Sequence, residues 1–438
     1  MLAVWALFAF GGVYLRTEIL VAAATALLLA IVRPSVMSGA ARSLDLWLLL
    51  FLGLSILQVV PVPAAFAGAV VPASVRLGRE LTLGADSTFT TLSIRPTDTV
   101  QALVVLAMAL AVFWMARETY RTGGVRTSVR AIALAGFVVS LIALAQSATA
   151  RGLMYWRWRP TFEGPDPFGP FVNRNHFATW AVLAIPVCLG YLAARSYGRD
   201  HRDELRPLRA RIAHAIDARA MWLMASVVAL TAALAVTLSR SGIAALGAAL
   251  AGAWWLTRAR GGRMGRRVAV AAAIAAAGAI ALWNAPALAG RFARTAVGYA
   301  DRVIIWRETL PIVRDFWTTG AGLGTFESAM AFYQQADRSV FFNQAHSEYL
   351  QLAAEGGLLL LAGAAGATIA FVRLAASRLR EDLTGVFWIR AGAAAGLAAV
   401  ALQSVWENGL RIPANALLAA ILAAIVVHEP HNHHTPRP

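Results

Sequence analysis

The sequence predicts an all-α polytopic membrane protein with about twelve transmembrane helices and a large outward-facing loop between spans nine and ten. Three observations carry that prediction. The chain has 438 residues, of which 59% are hydrophobic and only 14% charged, and its mean hydropathy is +0.62. Apolar stretches of roughly 17 to 25 residues, the length a helix needs to cross a bilayer, recur from one end to the other. They are continuous Ala/Leu/Val runs rather than alternating ones, so of the two structures that satisfy their backbone in lipid, helices are favoured over a closed barrel.

Candidate spans lie near 2–15, 18–32, 44–60, 99–116, 131–149, 176–194, 221–239, 241–257, 268–285, 349–372, 387–406 and 412–428. The first lacks a basic n-region and an A-x-A exit, so it is not read as a cleaved signal peptide. A single integral membrane domain over 1–428 is expected, with the loop 286–348 inside it, followed by a His- and Pro-rich tail at 429–438 that reads as disordered. In the loop, Trp306, Leu310, Val313 and Trp317 fall at helical spacing and predict short interfacial helices. Pro311 should divide that segment into two pieces.

Orientation follows from arginine alone, because the sequence contains no lysine. Loops 33–43, 117–130, 195–219, 258–267 and 373–386 are short and carry 2, 4, 7, 5 and 3 arginines. The longer loops 61–98, 150–175 and 286–348 carry 3, 4 and 6. The positive-inside rule makes the denser set cytoplasmic. Both termini then face the cytoplasm and the long loops face outward. The net charge of +16 is mostly this topological signal. Nucleic-acid binding is not expected, since the arginines are spread over many loops and not gathered on one face. The single cysteine, Cys188, lies inside a span and excludes an internal disulfide.

Unusual polar residues converge on the outer side. "FVNRNHFATW" places Asn173, Arg174, Asn175 and His176 where a loop enters span six. "TLSRSG" places Ser239, Arg240 and Ser241 between spans seven and eight, with hardly any loop. The large loop supplies Arg302, Arg307 and Arg314, with Arg307 and Arg314 on one helical face and Arg302 off it. His346 stands at the mouth of span ten, and Glu407, Asn408 and Arg411 join spans eleven and twelve. Plainer readings stand beside these: Asn173 and Asn175 as helix caps, Arg240 snorkelling to headgroups, and the histidines as interfacial residues. The glycines of "GAGLG", Gly320, Gly322 and Gly324, suggest a phosphate loop, but a dinucleotide fold needs a soluble βαβ unit that this composition does not offer. They serve either a simple turn or a close backbone approach to a ligand.

No H-E-x-x-H, Asp-x-Asp or paired-carboxylate spacing is present, so neither a metal nor a cofactor is expected. Guanidiniums, imidazoles and amides suit a diphosphate held at the membrane surface, since guanidinium binds phosphate in a bidentate fork and stays charged. A neutral histidine can take the proton of an acceptor hydroxyl. A transporter of lipid-linked sugars is the alternative from another class, but it should carry polar residues at mid-membrane depth.

These segments resemble a known family. "FVNRNHFA", "LSRSG", "GAGLGTF", "AHSEYLQLAAEGG" and "ENGLRIPANA" are similar to the O-antigen ligase and polymerase superfamily of bacterial polysaccharide membrane enzymes, and the early "FGGVY" and "LQVVPVP" share the likeness. The resemblance implies a glycosyltransferase of the inner membrane with its active face toward the periplasm. It implies a metal-free inverting transfer from an undecaprenyl-diphosphate-linked glycan to a hydroxyl of lipid A-core, another glycan or another acceptor, with membrane lipids as surroundings. Carried over residue by residue, it makes His346 the candidate base, Arg240 catalytic and diphosphate-binding, and Arg302 or Arg307 the second diphosphate-binding arginine. Asn175, His176, Gly322, Gly324 and Glu407 become substrate-site candidates, Glu407 standing where the family commonly has Asp. Ligases, repeat-unit polymerases and protein O-glycosylating transferases share these motifs.

Overall fold

The computed structural model describes residues 1–81, 88–160, 167–200, 218–260, 295–336 and 341–429. Its helices are α1 (Leu2–Phe8), α2 (Leu15–Val32), α3 (Arg42–Leu57), α4 (Ala64–Val70), α5 (Pro72–Leu81), α6 (Pro96–Thr122), α7 (Val125–Thr149) and α8 (Arg174–Asp200). After them come α9 (Ala218–Thr237), α10 (Arg240–Thr257), α11 (Thr295–Asp315), α12 (Phe326–Tyr333), α13 (Glu348–Glu381), α14 (Val386–Gln403) and α15 (Pro413–Val427). A two-residue antiparallel pair, β1 (Val62–Pro63) with β2 (Phe89–Thr90), closes the loop after α3. Among the described residues, eight helices are long and apolar enough to cross a membrane: α2, α3, α6, α7, α8, α9, α13 and α14. The chain is therefore an all-α multi-pass membrane protein.

Three details depart from the sequence reading or lie beyond it. The first expected span is a seven-residue helix ending in a 3-10 turn at Phe10–Gly12. At about 1.5 Å per residue it is far too short to cross a bilayer. The segment carrying Pro311 is one helix of 21 residues, not two pieces. Its buried stripe of Ile305, Thr309, Ile312 and Phe316 secures the helix through the one hydrogen bond that proline removes. The span expected at 268–285 and tail residues 430–438 lie outside the described residues.

The bundle is built around α8, whose apolar window is wholly buried. Its sequence is hydrophobic all round, as a helix enclosed on every side must be. α14 crosses it at very short range: a Cβ on Gly392 would sit 2.2 Å from the Pro186 carbonyl oxygen, and one on Gly190 2.3 Å from that of Trp388. Small residues at such crossings are how membrane helices gain contact without a hydrophobic drive between them.

Contacts define two ends. At the basic end, Tyr120 at the foot of α6 meets the His428 ring edge-on at 5.8 Å, and the loop before α3 bonds α6 through Ser35 and Glu118. At the opposite end α8, α10, α13 and α15 begin and α14 finishes. Here a cap of α4, α5, α11 and α12 has its own apolar core, in which Val71, Leu77, Ile94, Ile312, Phe316, Phe326 and Met330 pack together.

Candidate functional site

The polar residues singled out by sequence meet where the cap sits on the bundle. Asn173 opens α8 as a cap, its side-chain oxygen accepting the Asn175 amide at 2.8 Å. That turn frees the Asn175 side chain to donate to Glu407 Oε1 at 3.1 Å. Ser239 caps α10 by accepting the Gly242 amide at 3.3 Å. The reversal from α9 is made in so few residues because Leu238 takes a left-handed φ of 54°. Ser241, two residues past the cap, donates to the same Glu407 oxygen at 3.2 Å. Arg302 of α11 completes the set, its guanidinium 2.8 Å from Glu407 Oε1. One carboxylate oxygen thus ties three helices together. Burial raises the Glu407 carboxyl above its ordinary range, with Arg302, Ser241 and Asn175 pulling the other way.

His346 stands just ahead of α13, which Ser347 caps by accepting the Leu350 amide at 3.4 Å. Its φ of 48° is left-handed, a conformation uncommon outside glycine. Burial, then the nearby Arg302 guanidinium, push its ring down to about 4, so the imidazole is neutral at pH 7. His176 is half-buried at the start of α8. Its carbonyl accepts the Asn415 amide at 3.0 Å. Arg240 begins α10 beside the two serines and is half-buried. The structure therefore joins Asn175, Ser241, Arg302 and Glu407 directly and sets His346 beside Arg302. Arg307 is exposed, on a different face of α11 from Arg302.

Gly320, Gly322 and Gly324 all have positive φ, but they approach protein and not an open site. A Cβ on Gly320 would lie 2.1 Å from the Glu355 backbone, and one on Gly322 2.3 Å from Ser93 Oγ. The Ala321 and Gly322 amides donate to the Ala354 and Glu355 carbonyls at 2.9 and 3.0 Å. In return Leu358 and Leu359 donate to Trp317 and Thr318 at 2.7 and 3.2 Å. This exchange is possible because α13 breaks at Gly357, with φ 56° and ψ −161°. Unbroken, its 34 residues would run about 50 Å, well beyond roughly 30 Å of hydrocarbon. The break lets the first turns belong to the cap and the remainder cross.

A second network went unrecognised in the sequence. Glu355 is fully buried and accepts Arg411 at 2.8 Å, the Phe326 amide at 3.3 Å and Gln351 at 3.0 Å. Gln58, from the far N-terminal "LQVVPVP", donates to the Thr319 and Glu355 carbonyls at 2.7 and 2.9 Å and accepts the Leu323 amide at 2.9 Å. The signal available was an acidic residue inside an apolar run, which membrane energetics makes costly unless it is paired.

What the arrangement offers chemically is guanidinium charge near a neutral imidazole at the rim of the bundle. Residues 225–365 match the family model described as O-Antigen ligase. The match takes in Arg240, Arg302, the glycine motif, His346 and Glu355, and leaves Asn175, His176 and Glu407 outside it. No curated protein matches the chain. The matched segment is an O-Antigen ligase domain, and it supports membership of the O-antigen ligase superfamily.

Proposed function

We propose that the protein transfers a glycan from undecaprenyl diphosphate to an acceptor hydroxyl at the periplasmic face of the bacterial inner membrane, by an inverting, metal-independent reaction of the O-antigen ligase type. The observation that carries this reading is the placement of His346 beside Arg302 at the junction gathered by Glu407. In the proposed step the acceptor oxygen attacks the anomeric carbon as the bond from that carbon to the diphosphate oxygen breaks. The acceptor proton passes to His346 and the negative charge leaves with the diphosphate. Arg240 and Arg302 stabilise that charge as guanidiniums aimed at the departing group. Asn175 and Ser241 act through Glu407, which holds Arg302 in place. His176 is the alternative base.

The test is transfer by the purified protein in lipid nanodiscs, given a polyprenyl-diphosphate-linked oligosaccharide and a lipid acceptor, with the anomeric configuration of the product read by NMR. Inverted product formed equally well in EDTA is expected. Retained configuration, or activity lost to EDTA and restored by magnesium, would overturn the mechanism. Glycan growing on the polyprenyl carrier, or appearing on serine or threonine of a protein, would assign the chain to the polymerase or protein-glycosylating members instead.

A further inference from the structure

The residue before His346 is held at both of its backbone groups. The Ala345 amide donates to Gln351 Oε1 at 3.1 Å, and the Ala345 carbonyl accepts the Trp306 indole N–H at 3.0 Å. Ala345 itself is fully buried, so neither group has water as a substitute. Gln351 cannot turn its amide over. Its oxygen also accepts Asn408 Nδ2 at 2.6 Å, while its nitrogen donates to the Glu355 carboxylate at 3.0 Å. Either flip would set donor against donor and oxygen against carboxylate. Glu355 is in turn anchored by Arg411 at 2.8 Å. Trp306 lies one helical turn from Arg302 on α11, and residues four apart share a face. The face of α11 that grips the Glu407 hub thus also grips the histidine turn. A left-handed φ at a non-glycine residue costs energy and persists only where its surroundings over-determine it.

We propose that Gln351 and Trp306 are positioning residues that hold the Ala345–His346 turn in its left-handed form and so keep the imidazole beside Arg302. The proposal rests on the reading of His346 as the base. Neither side chain touches the reacting atoms. Their effect is on where the base stands, and a displacement of about 1 Å in such a group is enough to cost on the order of 10²-fold in rate.

The experiment compares Gln351→Leu and Trp306→Phe, each alone and combined with His346→Ala, with kcat and donor KM measured in nanodiscs and the His346 ring followed by 15N-imidazole NMR. Trp306→Phe keeps the ring and removes only the N–H, so it serves should the leucine variant fail to fold. Each single variant should lose about 10- to 10²-fold in kcat, with donor KM nearly unchanged and the His346 resonance moved. In the His346→Ala background neither should cause further loss, because the group being positioned is gone. Unchanged kcat in both variants, or an equal loss with and without His346, would overturn the positioning role. If His346→Ala keeps full turnover while Gln351→Leu still moves the ring signal, the clamp stands and the assignment of the base falls.

Discussion

The two ends of the bundle use the same ion pair to opposite effect. At the basic end Arg390 and Asp382 pair at 3.2 Å with both side chains fully buried. Arg390 also donates to the Ile425 and His428 carbonyls at 3.1 and 3.2 Å. Arg117 grips Asp45 through both terminal nitrogens at 2.7 Å, and Asp45 further accepts the Trp114 indole at 2.9 Å. These pairs are closed, every strong donor turned onto protein. At the cap end the carboxylates are as deeply buried, Glu407 at 6% and Glu355 at 0% side-chain exposure, but their arginines keep 25% and 23% in Arg302 and Arg411. A buried carboxylate that fixes a half-open guanidinium leaves charge facing outward at a set position. The closed pairs fasten helices; in the function proposed above, the open ones present charge to a ligand.

Substitutions at the two ends should therefore separate stability from chemistry. The largest effect is expected from Asp382→Ala, which strands Arg390 in the interior. Breaking one side of a buried pair costs about 3–5 kcal/mol, measurable as a lower midpoint in thermal or denaturant unfolding in detergent. Transfer per folded molecule should be retained, and a variant of normal stability but no activity would erase the contrast. Next comes Arg302→Lys at the cap end, set against Arg307→Lys. Lysine keeps the charge but loses the bidentate fork, so the first should fall by about 10²-fold in rate while unfolding as the native protein does. The second should behave as wild type. Equal losses in both would mean that the exposed face of α11 holds the donor after all.

The smallest effect is in pH dependence. His346 sits at about 4 against an ordinary 6.5. Between those values the unfolded chain binds a proton that the native state refuses. The contribution to stability is complete above about pH 6.5 and is lost as pH falls through about 4. The acid limb of kcat/KM, which reports the free enzyme, should accordingly lie near 4 and leave the rate level from neutral pH down to about 5. An acid limb near the ordinary histidine value would show a ring standing in water and a junction no drier than the surface.

Most of the long apolar helices were legible because they rest on composition, which a linear scan can read. Hydrophobic runs placed α6 to α10 and α13 to α15 in order, although α6, α7, α8 and α13 run six or more residues past an end read from the sequence, and the polar motifs Asn175, Arg240, His346 and Glu407 were read at helix ends. The short α1 was misjudged since an apolar stretch gives no sign of the 3-10 turn that ends it. Pro311 misled because the rule concerns isolated helices, whereas here a packed stripe compensates. The glycine motif was the hardest to read: a left-handed turn has one sequence signature whether it faces a phosphate or a neighbouring helix, and its partner, Glu355 to Gly357, lies some thirty positions on. Gln58 was out of reach for the same reason, its hydrogen-bond partners being more than 250 positions away.

The backbone exchange between 317–322 and 354–359 has a consequence for recombination. Neither strand of that exchange is satisfied without the other, and Gln58 is bonded to both. A chimaera that grafts the large loop from a relative while keeping the host's α13 would cut through the exchange and leave carbonyls and amides facing each other in the wrong register. The segment that can be inherited as a unit runs from the end of α11 past Gly357 and requires a compatible residue at 58. Acceptor preferences that reside in the cap will therefore move between family members only when the first turns of the following membrane helix travel with them.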